Sequence, residues 1–391
     1  MSSFIRKTSA TTGGSRNARN PASGGRHVQA SENAPGTRPS PTGGPHLVSS
    51  GCADLDRVLG GGLSLGALTV FSEDGWTGHG ELFLKYVVSE AVAAGQLVGV
   101  IRHADDEYTR ANRFLLRRMS KAEAMREVAA EKAAMDATQN ETKLRIAWQY
   151  EKYAKNTRAV SADGANASGS ASVNRPALGK TFVTGARGAW CHDHDISKPA
   201  SEDDDEASSL IEMYTVDRKA PVAQIVAAAR AFAVGVSKRP GTVGRLVIPS
   251  LGGAVWNMEP EAVVNALVHV RSIVQERDPR VAVVASVPMD CMRASEATSV
   301  MHASDACFKL MAVEDTSSVV RLSSDARSVC GTMDVMRLPG FGWIRSSLPE
   351  VRSYVMRKKR KRLALEVFAV DPDAEARAGG EGGATGQSFD W

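Results

Sequence analysis

Between residues 221 and 287 the chain alternates between segments of helical periodicity and short apolar runs, and this alternation limits its possible folds more than any other feature. The spacing predicts helices over Pro221 to Val236 and Pro260 to Arg277, and strands over Arg245 to Ile248 and Arg280 to Val287. Neighbouring parallel strands need a crossover of a dozen or more residues, usually a helix. Strands without polar alternation are typical of parallel sheets covered on both faces. The sequence therefore predicts an α/β fold with a mostly parallel sheet flanked by helices.

A strand, loop and helix precede this region. Ala67 to Phe71 is an apolar strand, Glu73 to Gly80 is a glycine-containing loop, and an amphipathic helix is predicted from Glu81 to about Ala94. The same criteria predict further elements: a strand at Leu97 to Ile101, a short helix within Gly51 to Gly62 with Asp54 as its cap, strands at Cys307 to Val313 and Ser318 to Leu322, and a last strand after Arg362.

Composition divides the chain into a folded part and two extensions. Residues 1–45 hold almost no large apolar side chains, so they cannot bury enough surface to offset the entropy of ordering, and we expect a disordered arm. Residues 1–44 carry six basic residues against one acidic residue, so the formal net charge of +4 belongs to this arm, and a polyanion-binding field over the whole protein is not implied. We expect one domain at 46–370, with surface insertions near 119–143 and 156–180, an acidic loop near 201–207, and a disordered tail at 371–391.

The cysteine and apolar patterns indicate the compartment. The five cysteines stand singly, which favours reduced thiols. No stretch approaches the ~20 apolar residues that cross a bilayer, so we expect a cytoplasmic and nuclear protein without a membrane partner. Cys191 to Asp195 are all metal-ligand residue types, but contiguous residues cannot converge on one ion, and we predict no metal site.

The loop from Glu73 to Gly80 has the context of a phosphate-binding loop without its chemistry. Such a loop reads GxxxxGKS/T between a strand and a helix: the lysine neutralises phosphates and the hydroxyl binds magnesium. Here Gly78 fits, whereas His79 stands at the lysine position and Gly80 at the hydroxyl position. Likewise, Pro249 follows the strand that ends at Ile248, where a hydrolase presents an acidic magnesium ligand. We predict a degenerate nucleotide motif, with no catalytic residues and no cofactor for the isolated chain; an ordinary glycine turn is the alternative.

Several ordered blocks resemble the PAXNEB family, the subunit-4 family of the Elongator complex. The resemblance runs across nearly all of the folded part and rests on the blocks Gly36 to Pro41, Gly51 to Gly62, Leu84 to Tyr86, Leu144 to Tyr150, Trp190 to Pro199, Val247 to Gly252 with Trp256, Arg337 to Pro339, and Arg357 to Leu363.

This resemblance implies a RecA-like fold with degenerate nucleotide-binding motifs. It also implies a non-catalytic subunit that forms a hexameric ring with Elongator subunits 5 and 6, binds tRNA and supports modification of the wobble uridine, U34. ATP would then bind, and be hydrolysed, only at interfaces in the assembled ring. The charged stretch from Met119 and the low-complexity run near Ser168 depart from the family core.

Two basic features are candidate RNA contacts. Arg357, Lys358, Lys359 and Arg360 begin a run of six cations that is either a phosphate-contacting patch, a nuclear localisation signal, or the solvated start of a terminal strand. Arg293 follows the strand that ends at Val287; an RNA contact and an ordinary surface arginine both fit it. Trp76 in the degenerate loop is expected to pack against a neighbouring subunit or to stack on a base.

Two other functions fit the residues. An active ATPase of the RecA or recombinase class would require His79 to replace the lysine, and nothing replaces the magnesium ligands. A free-standing adaptor would use the folded part only as a platform.

Overall fold

The helices and strands between residues 221 and 287 follow the predicted alternation. The computed structural model describes residues 34–41, 44–106, 111–133, 190–200, 209–276, 279–321, 323, 326–340 and 351–368. The strands are β1 (Thr37–Arg38), β2 (Leu47–Val48), β3 (Leu63–Ser64), β4 (Leu68–Ser72), β5 (Leu97–His103), β6 (Leu116–Arg118), β7 (His194–Pro199), β8 (Ile211–Val216), β9 (Gly244–Ile248), β10 (Val281–Val287), β11 (Ala306–Met311), β12 (Val329–Arg337), β13 (Ser353–Lys358) and β14 (Leu363–Val367). The helices are α1 (Ala53–Val58), α2 (His79–Ala93), α3 (Pro221–Ser237), α4 (Pro260–Glu276), α5 (Ala294–Ala303) and α6 (Ser318–Arg321), and residues 121–133 are also helical.

A nine-stranded sheet forms the centre of the molecule. Its spatial order is β14, β13, β12, β11, β4, β10, β9, β5, β8. The strands from β11 to β8 pair in parallel, whereas β12, β13 and β14 form an antiparallel extension. The predicted mostly parallel α/β sheet is confirmed, and the arrangement is compatible with a RecA-like fold.

Two hydrophobic clusters cover the faces of this sheet. On one face, Phe71 of β4 stacks on Phe83 of α2 with ring centroids 4.9 Å apart. On the other face, Val70 packs in the cluster that α3 and α4 cover. Because successive side chains of a strand point to opposite faces, β4 contributes to both clusters, and this explains its continuous apolar run.

Two local predictions were wrong. Ser318 to Leu322 was predicted as a strand, but α6 occupies Ser318–Arg321: the Ser317 hydroxyl accepts a hydrogen bond from Val319 N, and a capped turn overrides the strand propensity of two valines. Asp54 was predicted to cap α1, but the cap position is Cys52. Asp54 instead lies in the first turn, where it pairs with Arg57 and accepts a hydrogen bond from Leu365 N at 3.1 Å.

The predicted disordered arm was also too long at its end. Within residues 34–41, β1 pairs with β2, and the Arg38 guanidinium lies 3.7 Å from the centroid of the Trp190 ring and donates to the Gly61 carbonyl. Pro35 O accepts a hydrogen bond from Gln96 Nε2. Backbone pairing and a cation–π contact hold this segment, so its poor apolar content was misleading. Residues 1–33, the predicted insertion near 156–180, the acidic loop near 201–207 and the tail lie outside the described residues.

Candidate functional site

The degenerate loop between β4 and α2 lies at the carboxyl edge of the sheet, beside the ends of β9 and β10. Glu73 follows β4, Ser250 follows β9 and Ser286 belongs to β10. Ser250 Oγ donates to Glu73 Oε2 at 2.5 Å, and the Ser286 hydroxyl also bonds this carboxylate. The two stretches in which the sequence lacks hydrolase residues are therefore in direct contact.

The Glu73 side chain lies against the first turn of α2. A methyl group added to Gly80 would lie 2.5 Å from Glu73 Cγ and 2.9 Å from Cδ, so the glycine leaves the space that Glu73 occupies. Burial raises the pKa of Glu73 above its usual range, although the Ser250 and Ser286 hydroxyls act against the shift. A hydroxyl-bearing side chain at position 80 has no room beside this carboxyl group.

Asp74 accepts hydrogen bonds from groups within the same loop. Its Oδ1 accepts hydrogen bonds from Trp76 N at 3.3 Å, Thr77 N at 2.8 Å and the Thr77 hydroxyl at 2.7 Å, and its Oδ2 accepts one from Ala312 N. Burial acts against ionisation, but these donors hold the pKa of Asp74 below its usual range. The Trp76 side chain projects from the loop with 89% of its surface exposed.

His79, at the lysine position, is the first residue of α2 and faces β12. Its Nε2 lies 2.9 Å from the Cys330 carbonyl oxygen, so this nitrogen donates. A methyl group added to Gly331 would lie 2.8 Å from the same Nε2. Gly78, at the cap position, has no side chain with which to bond the helix. The histidine therefore bonds the antiparallel part of the sheet.

The end of β9 is shaped by a sharp turn. Pro249 follows Ile248, and Ser250 has a φ of 41°, in the left-handed region that L-residues adopt at a cost. The buried Trp256 ring then packs edge-on against His103 of β5, with centroids 5.6 Å apart. A proline and a left-handed serine therefore follow this strand, and Trp256 anchors the segment after them against β5.

The segment Cys191 to Asp195 binds a carboxylate of its own chain. Glu90 of α2 accepts hydrogen bonds from His192 N at 2.9 Å and His192 Nδ1 at 3.0 Å, and from His194 Nε2 at 3.1 Å. Although burial acts in the opposite direction, these histidines lower the pKa of Glu90 to about 2. Within the described ranges, no group of three or more potential ligands could hold a metal ion.

A fully buried arginine lies near Glu90 and had no signal in the sequence. Arg245 donates from Nε to Gln96 Oε1 at 2.9 Å, and from Nη1 to the carbonyl oxygens of Ser49 and Val87 at 2.6 and 3.0 Å. Burial lowers its pKa to about 10, while the Glu90 charge acts against that shift. Its partners lie 149 to 196 residues away along the chain, so no local motif could reveal the cluster.

The predicted RNA contacts differ in their surroundings. Arg357 is buried, bonds Ser328 and Ser323 and pairs with Glu366 at 2.8 Å, and Lys359 pairs with the same glutamate at 3.4 Å. Lys358 and Arg360 are exposed. These four residues belong to β13 and the turn that joins it to β14, and Lys361 and Arg362 in the same turn pair with Glu127 and Glu131.

Two exposed cations face an open pocket, and Arg293 lies elsewhere. Arg360 and Lys198, together with the ion-paired Arg117 and Lys361, help to line a pocket of about 550 Å³. Arg293 is at the amino end of α5, where 86% of its side chain is exposed. It is therefore not part of the β13–β14 hairpin.

Among the residues that the structure describes, no helix combines the length and apolar character needed to cross a membrane.

Comparison with known proteins places this arrangement in a family. The chain is 46% identical to Elongator complex protein 4 of Xenopus laevis over 72 residues, which are 18% of each chain, and 32% identical to that of Homo sapiens over 30% of this chain and 27% of the human protein. The matches to these relatives thus cover less than a third of their length. Elongator complex protein 4 of Dictyostelium discoideum is 22% identical over 85% of this chain and 76% of its own length. The model of the family described as PAXNEB protein matches residues 30–388, and the chain therefore belongs to the PAXNEB family.

Proposed function

We propose that this chain is a non-catalytic, RecA-like subunit of the Elongator complex. In this proposal it assembles with Elongator subunits 5 and 6 into a hexameric ring that binds tRNA and supports modification of U34, in the cytoplasm and the nucleus. Family membership and the names of the relatives support the place in Elongator. The strand order, compatible with a RecA-like fold, supports the ring.

The non-catalytic part of the proposal rests on the loop between β4 and α2. In an active ATPase this loop would cradle phosphates, but here two carboxyl groups of the chain occupy it. Glu73 covers Gly80, and Asp74 takes the donors of Trp76 and Thr77. Phosphoryl transfer is accelerated mainly by positioned cations and donors around the transferred group. This loop has neither the lysine nor the magnesium-binding hydroxyl, and its carboxylates would repel a triphosphate. ATP in the assembled ring would accordingly bind at interfaces with other subunits.

ATP turnover by the purified chain tests this part directly. We expect no turnover above background with or without magnesium, and no change on His79→Ala. Magnesium-dependent hydrolysis that His79→Ala abolishes would instead establish the ATPase alternative.

Co-expression with Elongator subunits 5 and 6 tests the assembly. We expect a single complex whose mass, measured by light scattering, matches a hexamer that contains this chain, and which binds tRNA. A chain that stays monomeric beside its co-expressed partners would support the free-standing adaptor instead.

The β13–β14 hairpin is the proposed RNA contact, and its exposed cations should matter most. Lys358→Gln with Arg360→Gln should weaken tRNA binding by the complex, because the double variant removes two phosphate contacts. Each lost contact should also lower the slope of log affinity against log salt by ~0.7–0.9. The matched control is Lys361→Gln with Arg362→Gln, since both of these side chains are ion-paired within the protein. Equal effects of the two pairs would contradict the assignment. Arg293→Gln, Lys359→Gln and Arg357→Gln should have smaller effects on the slope.

A further inference from the structure

The degenerate loop presents backbone donors to an anion, and that anion is part of the chain. Successive backbone N–H groups in a turn form concave sites that bind phosphate in nucleotide-binding loops. Here Trp76 N and Thr77 N, with the Thr77 hydroxyl, all donate to Asp74 Oδ1. Asp74 is itself buried, and the donors that surround it keep it ionised.

We infer that the loop is self-liganded: the Asp74 carboxylate takes the place of a phosphate anion and holds the loop closed without any nucleotide. This inference rests on the proposed function, in which this loop has no catalytic role. The inference goes beyond that function by naming the contact that replaces the ligand, which is the bond of the Asp74 carboxylate to Trp76 N and Thr77 N.

The carboxylate also joins the loop to the sheet. Asp74 Oδ2 accepts a hydrogen bond from Ala312 N, directly after β11. Its neighbour Glu73 bonds Ser250 after β9 and Ser286 in β10, and His79 bonds Cys330 in β12. The loop is therefore bonded to the ends of four strands. A bound nucleotide can shift a conformational equilibrium only by its difference in affinity for two states, and a loop already held in one state offers little such difference.

The two oxygens of Asp74 accept hydrogen bonds from different groups, and an asparagine would keep one set of bonds and lose the other. In Asp74→Asn, an amide oxygen at the Oδ1 position keeps the Trp76 and Thr77 donors, whereas the amide nitrogen at the Oδ2 position faces Ala312 N, which is itself a donor. Asp74→Ala removes both sets of contacts. The amide variant thus retains the loop's inner bonds and isolates the bond to Ala312 N, whose loss can be measured even if the alanine variant folds poorly.

Amide hydrogen exchange on the full chain, with and without inorganic pyrophosphate, tests the inference. In the unmodified protein, pyrophosphate should leave exchange at Trp76, Thr77 and Ala312 unchanged. Asp74→Ala should accelerate these three amides by about tenfold or more, because local opening becomes cheaper, and pyrophosphate should slow Trp76 and Thr77 again. Asp74→Asn should accelerate Ala312 alone.

Asp217→Ala is the matched control, since Asp217 Oδ1 accepts a hydrogen bond from Lys219 N in a surface turn elsewhere. It should leave exchange in the degenerate loop unchanged. Unchanged Trp76 and Thr77 exchange in Asp74→Ala would overturn the inference, as would pyrophosphate-dependent slowing in the unmodified chain. ATP turnover is a separate measurement, so failure of the proposed function would be distinguished from failure of this contact.

Discussion

Helix α2 has a buried acidic site near each end, and the two sites are stabilised in different ways. Near its amino end, Glu73 and Asp74 are bonded by hydroxyl and backbone N–H groups, and neither has an ion-pair partner within the described residues. Near its carboxyl end, Glu90 is bonded by two histidines and lies close to the charge of Arg245. The pKa of Glu73 is raised and that of Glu90 is lowered. Hydroxyl and backbone donors bond the carboxyl groups of the first site, whereas the second site also contains the buried Arg245 guanidinium.

A buried carboxyl group does not by itself reveal its role. The amino-end site lies in the loop between β4 and α2, and its side chains bond to the ends of neighbouring strands. The carboxyl-end site joins segments that are distant in sequence: Glu90 in α2, Arg245 at the start of β9 and the stretch that leads into β7. Substitutions at the first site should therefore change packing and loop closure, and substitutions at the second should change charge balance and global stability.

The largest effect is expected for Arg245→Met. Removing one member of a buried charge cluster leaves the remaining charges uncompensated, which costs about 3–5 kcal/mol. Glu90 and Asp56 would lose their nearby cation, and Gln96 Oε1 would lose its hydrogen-bond donor. Urea unfolding should show this decrease in the free energy of unfolding, with Arg230→Met on the exposed face of α3 as the control, expected within about 0.5 kcal/mol of the unmodified protein. A loss of less than about 1 kcal/mol for Arg245→Met would contradict the proposal that the carboxyl-end site depends on the Arg245 charge.

The pH dependence of stability should distinguish Glu90 of the carboxyl-end site from the nearby carboxyl group of Asp56. The pKa of Glu90 is lowered to about 2, so its contribution is present above its unfolded value of 4.5 and is lost as pH falls toward 2. Burial raises the pKa of Asp56 from 3.8 to about 6 against hydrogen bonds from Ser49 and Ser50, so stability is lost as pH rises from about 4 to 6.

Asp56→Asn should remove that second loss, on the order of 2–3 kcal/mol between pH 4 and 6, because the amide does not ionise. An Asn oxygen can still accept from Ser50 N, and its nitrogen can donate to Ser49 Oγ. The measurement is the difference between the unfolding free energies of the two proteins at each pH, which cancels the titration of groups with unchanged surroundings. A difference that stays constant from pH 4 to 6 would contradict the raised pKa.

At the amino-end site, Gly80→Ala should destabilise the protein by about 1–3 kcal/mol through overpacking, because its methyl group would meet Glu73. The added methyl should also displace Glu73 from Ser250. Gly75→Ala in the same loop is the matched control, since a methyl group there meets nothing within 4 Å, and its change should stay within about 0.5 kcal/mol. Equal melting temperatures for the two variants would show that the Glu73 side chain does not need the space over Gly80.

Sequence patterns predicted six of the nine strands in the central sheet, whereas β8, β12 and β13 were not predicted. The periodicity located α3, β9, α4 and β10 to within a few residues, because their apolar positions are the ones buried in the hydrophobic clusters. It failed at Ser318 to Leu322, where a serine-capped turn overrode two β-branched residues. The missing lysine and hydroxyl singled out the loop from Glu73 to Gly80, and its identity as a degenerate nucleotide motif stays a prediction. The sequence did not show that Glu73 and Asp74 bond to neighbouring strands. The site around Glu90 and Arg245 was invisible because only the folded chain brings its members together.

The smallest effect is expected when a lysine replaces His79 in the amino-end site. His79→Lys should give no measurable ATP turnover, because Glu73 and Asp74 still occupy the loop and Gly80 still lacks a hydroxyl. The variant should lose the bond from His79 Nε2 to the Cys330 carbonyl, which costs about 0.5–1.5 kcal/mol. His269→Lys on the exposed face of α4 is the control for the charge change alone and should have almost no effect on the melting temperature. Turnover gained by His79→Lys would mean that a single cation can activate this loop, and that its carboxyl groups are displaced by nucleotide more easily than their contacts imply.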